Sequence, residues 1–278
     1  MEAVPLPLPE SSPTPLLVAP ERAATLKATS ADWPSLDLTP VQAGELELLL
    51  TGALSPLNRY LSEAEVTAVT GGGRLADGTA LPAPVVLPVR ASLADGLAPG
   101  QTVALREGEG VLLAALTITE VWTPTPAHVA AIPALSGFQA AAADEALRCI
   151  AGTLEGLELP PRYAMTDLHR DVAQLRAHFA QQGKPVVALL TDQPVHCAEL
   201  AAIRARIAAG DHVWVVGLLG DDSARPDPFT LVRCLREAVS ALCAADGLAP
   251  AGEPAVSAVT LSVLPAPSDA ALRPLIAA

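Results

Sequence analysis

The spacing of apolar residues changes along the chain, and each change predicts a different kind of structure. Pro5, Pro7, Pro9, Pro13 and Pro15 predict an extended, mobile arm over residues 1–15. Leu46, Leu48, Leu49 and Leu50 predict a short helix over Ala43–Thr51, with Asp37 or Thr39 as its cap. From Pro82 to Trp122 the pattern is strand-like. Ala83–Arg90 is one apolar strand, and Thr102–Arg106 and Val111–Val121 alternate on either side of the turn residues Glu107–Gly110, which predicts a hairpin. Ala127–Leu147 is alanine-rich and ambiguous, with a helix expected in its second half. Gly152–Pro161, ending in a proline pair, reads as a linker.

Beyond that linker the period shifts again. Leu168, Val172, Leu175, Ala177 and Phe179 predict a helix over Asp167–Gln182. Pro185–Thr191 and His212–Leu219 are continuous apolar runs of strand length, as in strands buried on both faces. Helices are expected at Cys197–Ala209 and Phe229–Ala244, and a third strand at Ala255–Leu264. Alternation of strands and helices implies a parallel α/β domain, and about three strands make it a short one. The expected division is an arm at 1–20, a β-rich domain at 21–155 and an α/β domain at 156–278.

Composition narrows the function classes. Lys plus Arg is 17 against 30 for Asp plus Glu, a formal net charge of -13, which argues against nucleic acid or an anionic membrane as partner. Lys27 and Lys184 are the sole lysines, so positive charge is nearly all arginine. Cys149, Cys197, Cys234 and Cys243 lack any CxxC spacing and read as reduced core thiols. The N-terminus has Glu2 and repeated proline where a signal peptide needs a basic start and an apolar stretch, and no apolar run reaches membrane-spanning length. A soluble cytoplasmic protein is the resulting expectation.

Three segments carry a family resemblance. Leu46–Leu61 reads LELLLTGALSPLNRYL, similar to "LELL-NGAFSPL-GFM" of the ATP sulfurylases (sulfate adenylyltransferases). Arg74–Thr79 with the apolar run ending at Val89 resembles that family's "RLADGT…P.P..L.V". Pro99–Arg106 followed by Gly110–Val121 resembles its "PGD.IALRD.EG..LA.L.V.EV". The resemblance implies a PUA-like β-rich N-terminal domain followed by a short parallel-sheet, nucleotidyltransferase-like (Rossmann-like) domain, hence an α/β fold overall.

In that family the motif QxRNPxHxxH follows the first strand of the second domain. Its Gln, Arg and Asn hold sulfate and nucleotide phosphates, and its histidines support the departing pyrophosphate; such catalysis is positioning plus charge stabilisation. This chain has Leu190 for the Gln, Asp192 for the Arg and Gln193 for the Asn. His196 keeps the first histidine, and Glu199 replaces the second. The later "VG.TKPGD…Y..VRC.EAL" element is matched by Val232, Arg233, Cys234, Glu237 and Ala238, with Arg225 near the missing Lys and Asp221, Asp222 and Asp227 making the loop acidic. The final "GRDHAG" loop has no counterpart before Ala278, so the second domain is expected to be degenerate and truncated.

The resemblance therefore implies His196 as the catalytic candidate, and Thr191, Gln193, His196, Arg225 and Arg233 as nucleotide- or anion-binding candidates, with no metal site of the protein's own. ATP with Mg²⁺ is the implied ligand if nucleotide binding is retained, or adenylyl sulfate. Three functions stay open: a non-catalytic binding or regulatory relative in sulfate activation, an active sulfate adenylyltransferase with a rewired site, and a structural module of a larger assembly. Implied partners are a second copy, an active ATP sulfurylase or an adenylylsulfate kinase.

Overall fold

The computed structural model describes all residues except 1–3, 7–13, 82, 133–134, 136–145, 171, 220–225, 246–257 and 266–278, and they form two compact units. One holds the described residues of 13–161, the other those of 1–12 and 162–269. Strand β1 (Val4–Leu6) belongs to the second.

The first unit contains helix α1 (Pro20–Thr29), strand β2 (Ser35–Asp37), helix α2 (Pro40–Leu50), strand β3 (Arg59–Tyr60), helix α3 (Glu63–Gly72), strand β4 (Leu87–Arg90), a single turn α4 (Ala91–Ala94), strands β5 (Thr102–Arg106) and β6 (Leu112–Trp122), helix α5 (Pro126–Ala131) and strand β7 (Leu147–Gly156). The sheet order is β2-β5-β6-β7-β3, and β4 also pairs with β7. Only the β2/β5 pair is parallel; the other pairs are antiparallel. The hairpin expected at 102–121 is β5–β6.

Helix α2 starts where a proline fixes φ and a threonine caps. Thr39 N–H donates to Gln42 Oε1 at 2.9 Å, and Gln42 N–H donates to Thr39 Oγ1 at 3.3 Å. Thr39, and not Asp37, is therefore the cap. Leu46, Leu49 and Leu50 are fully buried, and Leu48 nearly so, which suits a helix apolar around most of its circumference. Gln42 Nε2 donates to the Pro88 carbonyl at 2.7 Å, tying the cap to β4. Thr39→Ala is expected to lower the stability of this unit by about 1 kcal/mol, read as an earlier midpoint in chemical denaturation.

Three expectations need correction. The linker expected at Gly152–Pro161 overlaps β7, whose ten residues pair with β6 on one edge and with β3 and β4 on the other. The strand expected at Ala83–Arg90 is paired only over Leu87–Arg90; Pro88 is tolerated there because β4 pairs with β7 alone. Within the alanine-rich Ala127–Leu147 stretch the described helix lies at the start, as α5, and 136–145 fall outside the described residues.

The second unit contains helix α6 (Val172–Gln182), strand β8 (Val186–Thr191), helix α7 (Cys197–Ala208), strand β9 (His212–Leu219), helix α8 (Pro228–Ala245) and strand β10 (Val259–Pro265). Its sheet order is β1-β8-β9-β10, with β8, β9 and β10 mutually parallel as the alternating pattern predicted. Strand β1 runs antiparallel to β8, Val4 opposite Ala188 and Leu6 opposite Val186. This part of the arm expected to be mobile is thus an edge strand. On one face, Val213, Val215, Leu261 and Val263 pack with Ile203 of α7 and Leu231, Leu235, Val239 and Leu242 of α8. A Cβ on Gly217 would meet Leu235 Cδ1 at 2.9 Å, so this glycine lets α8 lie close on β9. Among the described residues no helix is long and apolar enough to cross a membrane.

Candidate functional site

Parallel strands place their carboxyl ends along one edge of the sheet, where α/β proteins bind ligands. Here that edge carries the turn from β8 into α7. Thr191 ends β8 and is buried; its hydroxyl donates to the Gln193 carbonyl at 2.7 Å and accepts the Gln193 N–H at 3.1 Å. These two bonds fold the chain tightly behind the strand. Pro194 follows, and His196 is the N-cap of α7. The structure thus brings Thr191, Gln193 and His196 onto one short turn, with Gln193 and His196 exposed.

A helix N-terminus presents unpaired N–H groups and positive dipole, a natural place for an anion. In this chain a carboxylate is already there. Glu199 Oε2 accepts the His196 backbone N–H at 2.7 Å, and Asp192 lies half-buried in the preceding turn. The residue types at this turn therefore combine one exposed imidazole, one amide and two acidic groups.

The remaining candidates sit elsewhere. Arg233 is exposed on the second turn of α8, and Arg225 lies outside the described residues. Neighbouring Arg236 pairs with Asp167 at 2.7 Å, both side chains half exposed or more. Asp227 Oδ2 accepts the Thr230 N–H at 2.9 Å at the start of α8, a capping role, while Asp221 and Asp222 fall outside the described residues. Among the described residues, no three His, Cys, Asp or Glu side chains gather as metal ligands would. Cys149 is a core thiol, its ionisation pushed up to about 12 by burial. Cys197 is exposed at the start of α7, against the expectation of a core thiol.

Groups that the sequence reading passed over lie on the sheet face under α6. His178 Nε2 and His212 Nε2 both contact the Thr260 hydroxyl, at 3.0 and 2.7 Å. His212 has no exposed surface. Burial, then the neighbouring His178 and Lys184, bring it down to about 4, so it is neutral at ordinary pH. A polar residue at the first position of an apolar strand, two before Trp214, was the available signal. In the first unit, Glu45 of α2 is raised to about 8 by burial.

The PUA-like domain family matches residues 11–132. Sulfate adenylyltransferase of Saccharomyces cerevisiae is 34% identical over 230 residues, 77% of this chain and 43% of that protein. Sulfate adenylyltransferase of a Synechococcus strain is 28% identical over 78% of this chain and 57% of its own length. The solved hexameric APS kinase from Thiobacillus denitrificans superposes with a TM-score of 0.74 at 30% identity, covering 96% of this chain and 48% of that one. The chain thus spans about half the length of the relatives it matches. The PUA-like match and the sulfate adenylyltransferase similarities relate this α/β chain, a PUA-like domain followed by a parallel-sheet nucleotide-binding fold, to the ATP sulfurylase family.

Proposed function

We propose that the chain serves sulfate activation as a non-catalytic relative of ATP sulfurylase, acting as a binding or regulatory partner. The observation that carries this reading is the Glu199 carboxylate on the His196 N–H at the start of α7, with Asp192 in the turn before it. Sulfate and pyrophosphate are multiply charged anions. Each unit of like charge at 4 Å opposes them by about 4 kcal/mol at an effective dielectric of 20, and neither acidic group can serve as the cation the chemistry needs. The relatives named sulfate adenylyltransferase and the hexameric APS kinase neighbour support the setting in sulfate activation, with a second copy, an active ATP sulfurylase or an adenylylsulfate kinase as the partner. Under this reading residues 21–155 are the PUA-like domain, 156–278 the nucleotidyltransferase-like one, and the protein works in the cytoplasm.

The competing reading is an active sulfate adenylyltransferase, converting ATP and sulfate to adenylyl sulfate and pyrophosphate. It is favoured by the grouping of Thr191, Gln193 and His196 on one turn at a helix N-terminus. Under it Gln193 and His196 contact phosphates, Arg225 and Arg233 replace the missing cations, and Mg²⁺ accompanies ATP.

The deciding assay is ATP formation from adenylyl sulfate and pyrophosphate with Mg²⁺, using the chain and its His196→Ala variant. No ATP above the variant's background is expected. Turnover that disappears in the variant would establish the rewired enzyme and overturn the non-catalytic reading.

A further inference from the structure

The two faces of the second sheet differ in chemistry. The face under α7 and α8 is aliphatic. The face under α6 carries His212 and Trp214 from β9, two residues apart, and Thr260 and Ser262 from β10, again two apart. Trp214 Nε1 donates to Ser262 Oγ at 2.6 Å. Helix α6 lays Phe179 on this layer, its ring centroid 5.4 Å from Trp214 and 5.6 Å from His212. His178, the next residue of α6, has its ring centroid 5.7 Å from that of His212 and shares the Thr260 hydroxyl with it.

One hydroxyl between two imidazole nitrogens admits one arrangement of protons. Thr260 has a single O–H, which it donates to one Nε2, and it accepts N–H from the other. One ring must therefore present an Nε2 lone pair, and that ring is neutral. Protonating it makes both Nε2 atoms donors, and the Thr260 hydrogen then loses its acceptor inside a buried layer. His212 has no slack to absorb this, because its Nδ1 is buried without a hydrogen-bond partner. The charged groups felt here are cationic: Arg170, before α6, acts on His178, and Lys184, after α6, acts on His212. From the strands, the same face receives Val186 and Ala188 of β8, aligned with His212 and Trp214, besides Thr260 and Ser262. Strand β1 adds Val4 and Leu6, aligned with Ala188 and Val186, so no carboxylate of these strands stands ready to receive a new positive charge.

We propose that His178, Thr260 and His212 form an acid-released latch: a neutral relay that fastens α6 to the sheet and opens when its acceptor imidazole takes up a proton. Release uncovers the aromatic layer of Phe179 and Trp214 while the opposite, aliphatic face stays packed. The latch is independent of whether the β8–α7 turn is catalytic.

Hydrogen exchange of the full chain, corrected for the intrinsic effect of pH, tests this on the amides of residues 174–182 against those of β9. In the wild-type chain, protection of 174–182 is expected to fall by at least about tenfold between neutral pH and the value near 4 at which His212 titrates, the effect of one unit of pKa. The β9 amides lose their protection only at lower pH. The double variant His178→Gln/His212→Phe removes both titrating rings and is expected to hold α6 through that window. His178→Gln alone sits at a half-buried position that tolerates the change; it removes the imidazole that helps to lower His212, so the transition moves to higher pH. His169, which burial and Arg162 also lower, is common to all of these proteins, so the differences among them belong to the relay. Unchanged α6 protection on acidification, or a His178→Gln transition at the wild-type pH, would overturn the latch.

Discussion

Gly152→Ala is expected to destabilise the β-rich unit by about 3 kcal/mol or more, within the upper range for an overpacked core. Gly152 lies in β7 between two partners, Ile118 of β6 on one side and Tyr60 of β3 on the other. The β6/β7 register shifts between Ile118 and Glu120, so a bulge lies beside it. A Cβ built on Gly152 lands on the Thr117 carbonyl oxygen and 2.9 Å from its carbon, with Leu116 Cδ1 at 3.0 Å. A flexible side-chain end could turn aside, but the Thr117 carbonyl belongs to the bulged backbone. The methyl can enter only if β6 moves from β7, and that opens the ladder at the middle of the sheet. Domains are stable by only about 5–15 kcal/mol, so this loss is a large fraction. Gly108→Ala is the control: Gly108 sits in the β5–β6 turn with nothing within 4 Å of a new Cβ, and its change should stay within about 0.5 kcal/mol. Denaturation of the two variants, followed by far-UV circular dichroism, checks the pair. Equal midpoints would mean that the bulge relaxes freely and that Gly152 is merely permissive.

That same glycine explains the largest misreading of the sequence. Gly152 and Gly156 looked like punctuation, and together with Pro160 and Pro161 they suggested a linker. In a strand, glycine marks close backbone approach as often as it marks a break, and only the three-dimensional bulge distinguishes the two. The strands of the second unit were legible because they are buried on both faces. An unbroken apolar run such as 186–191 or 212–219 has few other uses, and the observed strands occupy those runs almost residue for residue. The β1 strand was hidden for the opposite reason, since proline-rich sequence has little strand propensity and here finds its partner 180 residues away, Leu6 lying opposite Val186 on the edge of β8.

The turn carrying Thr191, Gln193 and His196 was legible because its members are neighbours in sequence, so any fold of that segment brings them close. The relay was not. His178 and Thr260 are 82 residues apart, and His212 and Thr260 are 48 apart. Each looks like an isolated polar residue until two parallel strands and a helix bring them together. Arg233 lies on α8, within the helix expected at Phe229–Ala244.

Raising the pH should weaken the β-rich unit through Glu45, and Glu45→Gln should abolish that loss. Glu45 lies within the leucine-rich α2, half-buried, and burial lifts its carboxyl from 4.5 to about 8. Its neighbour Tyr60 is 1% exposed with an unpartnered hydroxyl; burial first, then the Glu45 charge, push that phenol well above its ordinary value. The sign follows from proton counting. Below pH 4.5 the carboxyl is protonated in folded and unfolded chains alike, and this contribution to stability is complete. Between pH 4.5 and about 8 the unfolded chain has released the proton while the folded chain keeps it, so rising pH favours unfolding. At 1.36 kcal/mol per unit the loss has a ceiling of about 5 kcal/mol, and partial solvent access at Glu45 brings the expected loss to roughly half of that. Glutamine keeps the shape of the protonated acid and cannot ionise. Denaturation midpoints of the wild-type unit should therefore fall from pH 5 to pH 8, while those of Glu45→Gln stay level in that window and exceed wild type at its upper end. Tyr60→Phe supplies the second leg. It removes a buried hydroxyl that has no partner, so it should cost little at acidic pH. A wild-type midpoint that holds steady across the window would place the Glu45 carboxylate in water and remove the basis for both expectations.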